Sequence, residues 1–258
     1  MMYRKDFAEA RHFAFYYGPR AVEELASYDV VVIEPSLYTA MDIKRLQQQK
    51  TIALAYVSVM EINQSHPHWP SVWQEDLLIQ HGIPLRQNTY DNEIIDLSST
   101  HWRNFLLNYI GGLLMQGHYQ GVFLDTIGDV EMSELVDPVR QIDAAITLVK
   151  QLRQWFPDYV IVQNNGLEVL CLHTAPYVDG IVWENPPIGI KASLSWVEQI
   201  NERLNRLRLE NQLQVFILFD GCESISKYER IERQRFADIH QYLVYCAPRH
   251  YQKINRRE

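Results

Sequence analysis

Eight short apolar runs recur along the chain. They are rich in Val, Ile, Phe and Tyr and are bounded by Gly, Pro, Asn or Asp, a pattern typical of β-strands. Apolar residues are nearly continuous within each run, which favours parallel strands that are covered on both faces. The runs span 12–18, 29–35, 51–63, 121–127, 159–166, 179–186, 214–221 and 241–248.

Helical patterns separate most of these runs. The clearest pattern covers 137–156, where Asp137 precedes Pro138 at a first helical position and apolar residues recur on one face. Thr100 is the predicted N-cap of a helix over 100–116. Further helices are predicted over 41–49, 193–210 and 229–243, and the link from 167 to 178 is short and weakly helical.

Strands that alternate with helices eight times predict an α/β fold, a single (β/α)8 TIM barrel over residues 1–258. The length fits one such barrel, and a doubly wound sheet is the main alternative. An extended insertion, residues 64–99, lies between the third and fourth strands. The segment "EIIDLSS" (93–99) is expected to add an extra strand there.

The composition of the chain limits the kinds of binding partner that can be expected. The chain has 24 basic and 32 acidic residues and a net charge of −8, which argues against a nucleic-acid partner. It has no apolar run of 18 residues, so no membrane partner is expected. The first 18 residues lack the apolar core of an export signal, which predicts a cytoplasmic location for the chain as written. The oligomeric state has no signal in the sequence.

The cysteines and paired histidines predict neither a disulfide framework nor a metal site. Cys171, Cys222 and Cys246 are odd in number and widely spaced, and Cys171 and Cys246 are expected to pack among apolar residues. His66 and His68 form an HxH pair without an evident third ligand. No metal and no organic cofactor are therefore expected.

Carboxylates follow two of the most apolar runs. Asp125 ends the fourth predicted strand and Glu184 ends the sixth. The active site of such a barrel forms at the carboxyl ends of its strands, so both side chains are expected to face one cavity. Two facing carboxylates are the minimum equipment for glycoside hydrolysis. The alternative interpretation is that each carboxylate caps the next helix.

Other polar residues near the strand ends are candidate substrate-binding residues, although each also has a structural interpretation as a turn, a salt bridge or a packing contact. They are Tyr17, Tyr56, Ser58, Glu61, Asn164, Asn165 and Asp220. Trp69 and Trp73 in the insertion could stack on a glycan or pack the insertion onto the barrel. Trp183 could limit the hydration of Glu184, but adjacent strand residues point to opposite faces.

The motifs "FYYG", "VVIEP", "AYVSVMEIN", "GVFLDTI", "VQNNGLEVL" and "VDGIVWEN" follow one another as in glycoside hydrolase family 114, which the chain resembles over roughly 12–248. The resemblance implies a TIM barrel with endo-α-1,4-polygalactosaminidase activity. The substrates of such an enzyme are chains of galactosamine and N-acetylgalactosamine, of the kind found in biofilm polysaccharides. It also implies Asp125 as nucleophile, Glu184 as general acid/base and retention of configuration. Members of this family are mostly exported.

The chain departs from the family pattern at a few positions. Met60 stands where the family usually has Gly, which is expected to change the cleft beside Glu61. The stretches 89–92 and 185–189 also differ, and they put the exact polysaccharide or oligosaccharide substrate in question. Two alternatives stay open: another α-glycosidase, such as one that cleaves α-galactosides, and a non-catalytic carbohydrate-binding barrel.

Overall fold

A sheet of eight parallel strands forms the centre of the molecule, and its spatial order is the order of the chain. The computed structural model describes residues 2–87, 89–188 and 194–254. The strands are β1 (Phe13–Tyr16), β2 (Val30–Ile33), β3 (Ile52–Ser58), β4 (Gly121–Asp125), β5 (Val160–Asn164), β6 (Gly180–Glu184), β7 (Gln214–Phe219) and β8 (Leu243–Cys246). Each of the eight predicted runs contains one of these strands.

Helices connect the strands on the outside of the sheet. They are α1 (Met2–Ala8), α2 (Val22–Leu25), α3 (Ala40–Gln48), α4 (Thr100–Met115), α5 (Pro138–Trp155), α6 (Leu170–Thr174), α7 (Leu194–Asn211) and α8 (Lys227–His240). The pattern did not predict α1 and α2, since so few turns give no clear periodicity. Among the described residues, no helix is both long and apolar enough to cross a bilayer.

Local capping explains where two of the longer helices begin. The Asp137 carboxylate accepts the N–H of Arg140 at 3.1 Å ahead of Pro138, as predicted. The N-cap of α4 is Ser99 and not the predicted Thr100. Ser99 is extended and its hydroxyl accepts the N–H of Trp102 at 3.3 Å, so Thr100 already lies inside the helix.

Aromatic rings fill the interior of the barrel. Phe13 of β1 packs edge-on against Phe216 of β7 at 4.8 Å, and Phe15 packs against Phe123 of β4 at 5.2 Å. These pairs join strands that are not neighbours in the sheet. The sheet must therefore curve until its two ends approach each other.

The two end strands complete the barrel without a continuous ladder. β1 and β8 share no paired register within the described part of the chain. Instead, the N–H of Tyr17, just after β1, donates to the carbonyl of Tyr251, beyond β8, at 2.8 Å. The architecture is a nearly closed (β/α)8 TIM barrel, and the predicted α/β fold is confirmed.

The insertion after β3 folds onto the carboxyl end of the barrel. Its short strands Glu61–Ile62, Asn92–Ile94 and Arg86–Gln87 form an antiparallel sheet, and Ile79–Gln80 pairs with Ile83–Pro84 in a small hairpin. The predicted extra strand is thus present, although it starts at Asn92 and ends at Ile94.

A disulfide corrects the prediction for the cysteines. Cys222, in the loop after β7, is bonded to Cys246 at the end of β8, with their Cα atoms 5.6 Å apart. The loop after one strand meets the end of its neighbour here, which a separation of 24 residues does not reveal. Cys171 is free and buried, as expected.

Candidate active site

One cavity of about 490 Å³ lies at the carboxyl ends of the barrel strands and is called the main cavity here. Every residue proposed from the sequence as a candidate site residue lines it. These are Tyr17, Tyr56, Ser58, Glu61, Asp125, Asn164, Asn165, Glu184 and Asp220. Their convergence follows from parallel strand direction, which brings all the carboxyl ends to one side of the barrel.

The side-chain amide of Asn164 lies between the two candidate catalytic carboxylates. Its Nδ2 donates to Oδ1 of Asp125 at 2.7 Å and to Oε2 of Glu184 at 2.8 Å. Since both oxygens lie so close to one nitrogen, they are separated by no more than about 5.5 Å. The two carboxylates therefore face each other across a gap that one side-chain amide bridges.

A tyrosine hydroxyl holds the outer oxygen of each carboxylate. Tyr56 of β3 donates to Oδ2 of Asp125 at 2.5 Å, and Tyr251 donates to Oε1 of Glu184 at 2.6 Å. Burial, and next the charge of the carboxylate partner, raises the pKa of both tyrosines. Both hydroxyls thus stay protonated and act as permanent donors.

Burial favours the protonated form of Glu184. It raises the pKa of this carboxyl, and the nearby charge of Asp125 raises it further, against the hydrogen bonds from Tyr251 and Asn164 that lower it. The Asp125 carboxylate accepts short hydrogen bonds from the Tyr56 hydroxyl and the Asn164 amide, which stabilise its negative charge.

A second acidic pair lies farther along the main cavity. Burial and the charge of Glu61 raise the pKa of Asp129 to about 8, with smaller contributions from Asp125 and Glu184. Asp129 is thus largely protonated at neutral pH and can donate to Glu61, whose other partner is the amide of Asn92 at 2.8 Å.

A left-handed residue, Thr126, shapes the floor between β3 and β4. Its φ is 57°, and its hydroxyl accepts the N–H groups of Val59 and Met60 at 3.0 and 2.8 Å. Ser58 contacts the same hydroxyl at 3.1 Å and donates to the carbonyl of Glu61 at 2.7 Å. Ser58 therefore positions the backbone of Glu61.

The loops after β5 and β6 lock together beside Glu184. Asn165 is left-handed, and its side-chain oxygen accepts the N–H of Glu184 at 3.0 Å. Asn185 similarly accepts the N–H of Asp220 at 2.9 Å. Asp220 in turn accepts the N–H of His250 at 2.9 Å. Asn165 and Asp220 thus organise loops as well as lining the main cavity.

Tyr17 stands at the rim of the main cavity, where its ring meets that of Tyr56 edge-on at 5.2 Å. It is 41 % exposed, so its ring face is open to an occupant of the cavity. Burial of its hydroxyl, and next the charge of Glu34, raises the pKa of Tyr17.

Several sequence expectations for the cleft are corrected by the packing. Met60 is fully buried in the core, so its side chain does not reshape the cleft beside Glu61. Trp183 packs against Trp196 on the helix side of β6, at 5.8 Å, as strand alternation requires. Trp69 is half-buried against the core and Trp73 stacks on His101 of α4 at 3.5 Å, so both pack the insertion onto the barrel, which is the second of their two interpretations.

The sequence did not single out Asp129, Asn92 or Tyr251. Asp129 follows β4 in a 3₁₀ turn (Ile127–Glu131), and a carboxylate four residues after Asp125 was a signal that could have been used. Asn92 and Tyr251 lie outside the barrel strands, and no sequence pattern around them indicates that they reach the cavity. Within the described residues, no cluster of three or more His, Cys, Asp or Glu side chains is arranged to hold a metal ion.

The fold of the chain is similar to those of several solved structures. The glycoside hydrolase domain of PelA from Pseudomonas aeruginosa is 21% identical, with a TM-score of 0.75 over 94% of this chain and 96% of that one. Aspergillus fumigatus Ega3, in complex with galactosamine, is 12% identical, with a TM-score of 0.76 over 94% and 93%. An α-galactosidase from Thermus thermophilus is 13% identical, with a TM-score of 0.61 over 94% of this chain and 60% of that one.

The sequence itself carries the family signature. A search of curated proteins finds no match. The profile of glycoside-hydrolase family GH114 matches residues 5–186, which include β1 to β6 and both facing carboxylates. A match over more than half of the sequence assigns the family: the chain is a glycoside hydrolase and belongs to family GH114.

Proposed function

We propose that the protein cuts α-1,4-linked galactosamine and N-acetylgalactosamine polysaccharides internally, with Asp125 as nucleophile and Glu184 as general acid/base. The observation that carries the proposal is the amide of Asn164, which binds both carboxylates at 2.7 and 2.8 Å. Carboxyl groups about 5–5.5 Å apart are typical of retaining glycosidases, whereas inverting enzymes leave a wider gap for water.

The first step transfers a sugar to the protein. Protonated Glu184 donates its proton to the glycosidic oxygen while a carboxylate oxygen of Asp125 attacks the anomeric carbon from the opposite face. The bond to the leaving sugar breaks and a covalent bond to Asp125 forms. The raised pKa of Glu184 suits this step, because the group must still carry its proton near neutral pH.

The second step releases the sugar. Glu184, now ionised, removes a proton from a water molecule, and the resulting oxygen attacks the anomeric carbon and displaces Asp125. Tyr56 and Tyr251 keep each carboxylate oriented through both steps. A carboxylate offers about four lone-pair positions, so these hydrogen bonds leave room for the reacting atoms.

The charge of the main cavity supports an amino-sugar substrate. Five carboxyl groups line it, those of Glu61, Asp125, Asp129, Glu184 and Asp220, although Asp129 and the general acid Glu184 hold a proton before the first step. Among its described lining residues there is no Lys or Arg. Such a cavity attracts the ammonium groups of a deacetylated galactosamine chain, and the bound galactosamine named for Ega3 is consistent with this preference.

The test compares Asp125→Asn and Glu184→Gln with the parent protein on defined galactosamine oligomers. Each variant should lose at least about 100-fold in turnover, since each lacks a reacting group. Asp143→Asn and Glu202→Gln, on exposed faces of α5 and α7, are the matched controls. NMR of the first product should show the α-anomer, and a β-anomer would overturn the retaining assignment.

An aryl glycoside separates the two roles and the alternatives. A nitrophenolate leaves without protonation, so Glu184→Gln should still form the covalent sugar adduct with this substrate, whereas Asp125→Asn should not. Faster hydrolysis of aryl α-galactosides than of the polymer would favour an α-galactosidase. Binding of oligomers without any cleavage would favour a non-catalytic barrel.

A further inference from the structure

A second hollow of about 150 Å³ adjoins the main cavity and is called the side cavity here. The two cavities share the walls formed by Tyr17, Tyr56, Ser58, Glu61 and Asn92. They are therefore two parts of one continuous cleft. The side cavity has the volume of about five water molecules, which suits one sugar unit and not a long segment.

Glu34 supplies the charge of the side cavity. It directly follows β2, and its Oε1 accepts the N–H of Ser36 at 3.1 Å as the cap of the 3₁₀ turn Pro35–Leu37. This capping bond and a hydrogen bond with the Tyr17 hydroxyl fix the carboxylate in the wall of the cavity and leave its remaining lone pairs to an occupant.

Within the described part of the chain, no cation neutralises this carboxylate. Among these residues, no Lys or Arg lines the side cavity or lies within ion-pair distance of Glu34. The nearby His66 and His68 are not substitutes, because burial lowers the pKa of both rings and keeps them neutral at pH 7. The charge of Glu34 is thus available to an occupant.

Aromatic side chains form the walls around Glu34. The ring of Tyr109 meets that of His68 edge-on at 4.4 Å, and Tyr17 separates this hollow from the main cavity. Burial, and next the charge of Glu34, raises the pKa of Tyr109 to about 12, so its hydroxyl remains a donor at neutral pH. Aromatic faces, hydroxyl donors and one carboxylate together match a sugar that carries an ammonium group.

We propose that the side cavity is a sugar subsite remote from the bond that is cut, and that its occupant is a hexosamine unit whose protonated amine binds Glu34. The proposal rests on the proposed function, because only a polymer spans both cavities. It adds a preference for the pattern of acetylation along the polysaccharide. The sugar unit in the side cavity must be deacetylated, since an N-acetyl group carries no charge.

The experiment measures kcat and KM for a series of deacetylated α-1,4-galactosamine oligomers of increasing length. The parent protein should gain affinity at the length that first reaches the side cavity. Glu34→Gln should raise KM by about 10-fold or more from that length onward while kcat stays within twofold, because a charge-assisted hydrogen bond is lost. The fully N-acetylated series should show no such difference.

Two controls separate the loss of the Glu34 charge from a loss of stability or a general effect of substitution. The amide introduced by Glu34→Gln retains an oxygen that can accept the N–H of Ser36, so thermal unfolding should match the parent protein. Glu202→Gln should leave the length dependence unchanged. Binding of the same oligomers to Glu184→Gln, measured by calorimetry with and without Glu34→Gln, tests the side cavity independently of turnover.

The outcomes distinguish the two proposals. If the parent protein cuts the oligomers but Glu34→Gln shows the same KM at every length, the side-cavity proposal fails and the proposed function stands. A KM change that is equal in the acetylated series would also overturn it. If the parent protein cuts none of the oligomers, the proposed function fails, and the calorimetry still decides whether Glu34 binds the amine.

Discussion

Asn164 shows how much chemistry one side chain can organise. A side-chain amide has two N–H groups, and here each binds a different carboxylate, Asp125 on one side and Glu184 on the other. A flipped amide would place its oxygen against both carboxylates, which is electrostatically unfavourable. The residue therefore has one orientation, and it fixes the spacing of the pair.

Tyr251 is expected to tune Glu184. Its hydrogen bond lowers the pKa of the glutamate, against the opposing effect of burial. Tyr251→Phe should raise that pKa, so the alkaline limb of the kcat/KM profile should move to higher pH and kcat should fall roughly tenfold. Phenylalanine keeps the ring contact with Phe15 at 4.9 Å. Tyr228→Phe, on exposed α8, is the control, and an unmoved alkaline limb would contradict the role.

The residues at the site differ in how far a sequence can predict them. Asp125 and Glu184 each end an apolar run, and strand direction alone brings them together. Tyr251 lies in the turn Arg249–Tyr251, where both His250 and Tyr251 have left-handed backbones. Such conformations are uncommon for these residue types, and they depend on tertiary contacts that no local pattern encodes.

At the scale of elements, one disulfide governs the segment that carries Tyr251. Cys246 ends β8, and the next residue, Ala247, forms hydrogen bonds with the end of β7 and the loop after it. Its N–H donates to the carbonyl of Phe219 at 2.7 Å, and its carbonyl accepts the N–H of Cys222 at 3.1 Å. The disulfide thus anchors the start of the short segment that leads to Tyr251, the hydrogen-bond partner of the proposed general acid Glu184.

Removing the disulfide should affect both stability and activity. Cys222→Ala combined with Cys246→Ala should cost about 2–4 kcal/mol in the free energy of unfolding and should lower kcat, because the segment before Tyr251 gains freedom. A reducing agent should lower the Tm of the parent protein but not that of the double variant. Cys171→Ala should keep the response to reductant, and a parent protein that is indifferent to reductant would refute the argument.

The strands were more predictable from the sequence than the disulfide and the small sheet that join separate loops. Near-continuous apolarity marks the strands because both faces of β1 to β7 are largely buried, whereas in β8 only Tyr245 is buried. The disulfide and the antiparallel sheet of the insertion depend on which loops meet in space. Short segments such as Glu61–Ile62 and Arg86–Gln87 contain too few residues to show a period.

At the scale of the whole molecule, the clustered carboxyls oppose folding as pH rises. Asp129 carries the clearest signature, since burial and three nearby carboxylates raise its pKa to about 8 from an ordinary value of 3.8. Between these two values the folded state holds a proton that the unfolded state has lost. Raising the pH through this window therefore favours unfolding.

Asp129→Asn should remove this pH dependence. The variant should be more stable than the parent protein above about pH 4, the gain should grow up to about pH 8, and it should then level off. A gain of about 1 kcal/mol corresponds to a rise of roughly 2–4 °C in Tm. Thermal unfolding from pH 4 to 9 measures the effect, with Asp143→Asn as the control, and parallel curves for Asp129→Asn and the parent protein would rule it out.

The hydrogen bond between the N–H of Tyr17 and the carbonyl of Tyr251 has a consequence for folding during synthesis. The ribosome completes Asp125, Asn164 and Glu184 well before it reaches Tyr251, whose carbonyl accepts the N–H of Tyr17 and whose hydroxyl donates to Glu184. A nascent chain thus carries both proposed catalytic carboxylates before Tyr251, the hydrogen-bond partner of Glu184, has been synthesised. Catalytic competence should therefore emerge only after residue 251 has left the ribosome and its segment has docked beside β1.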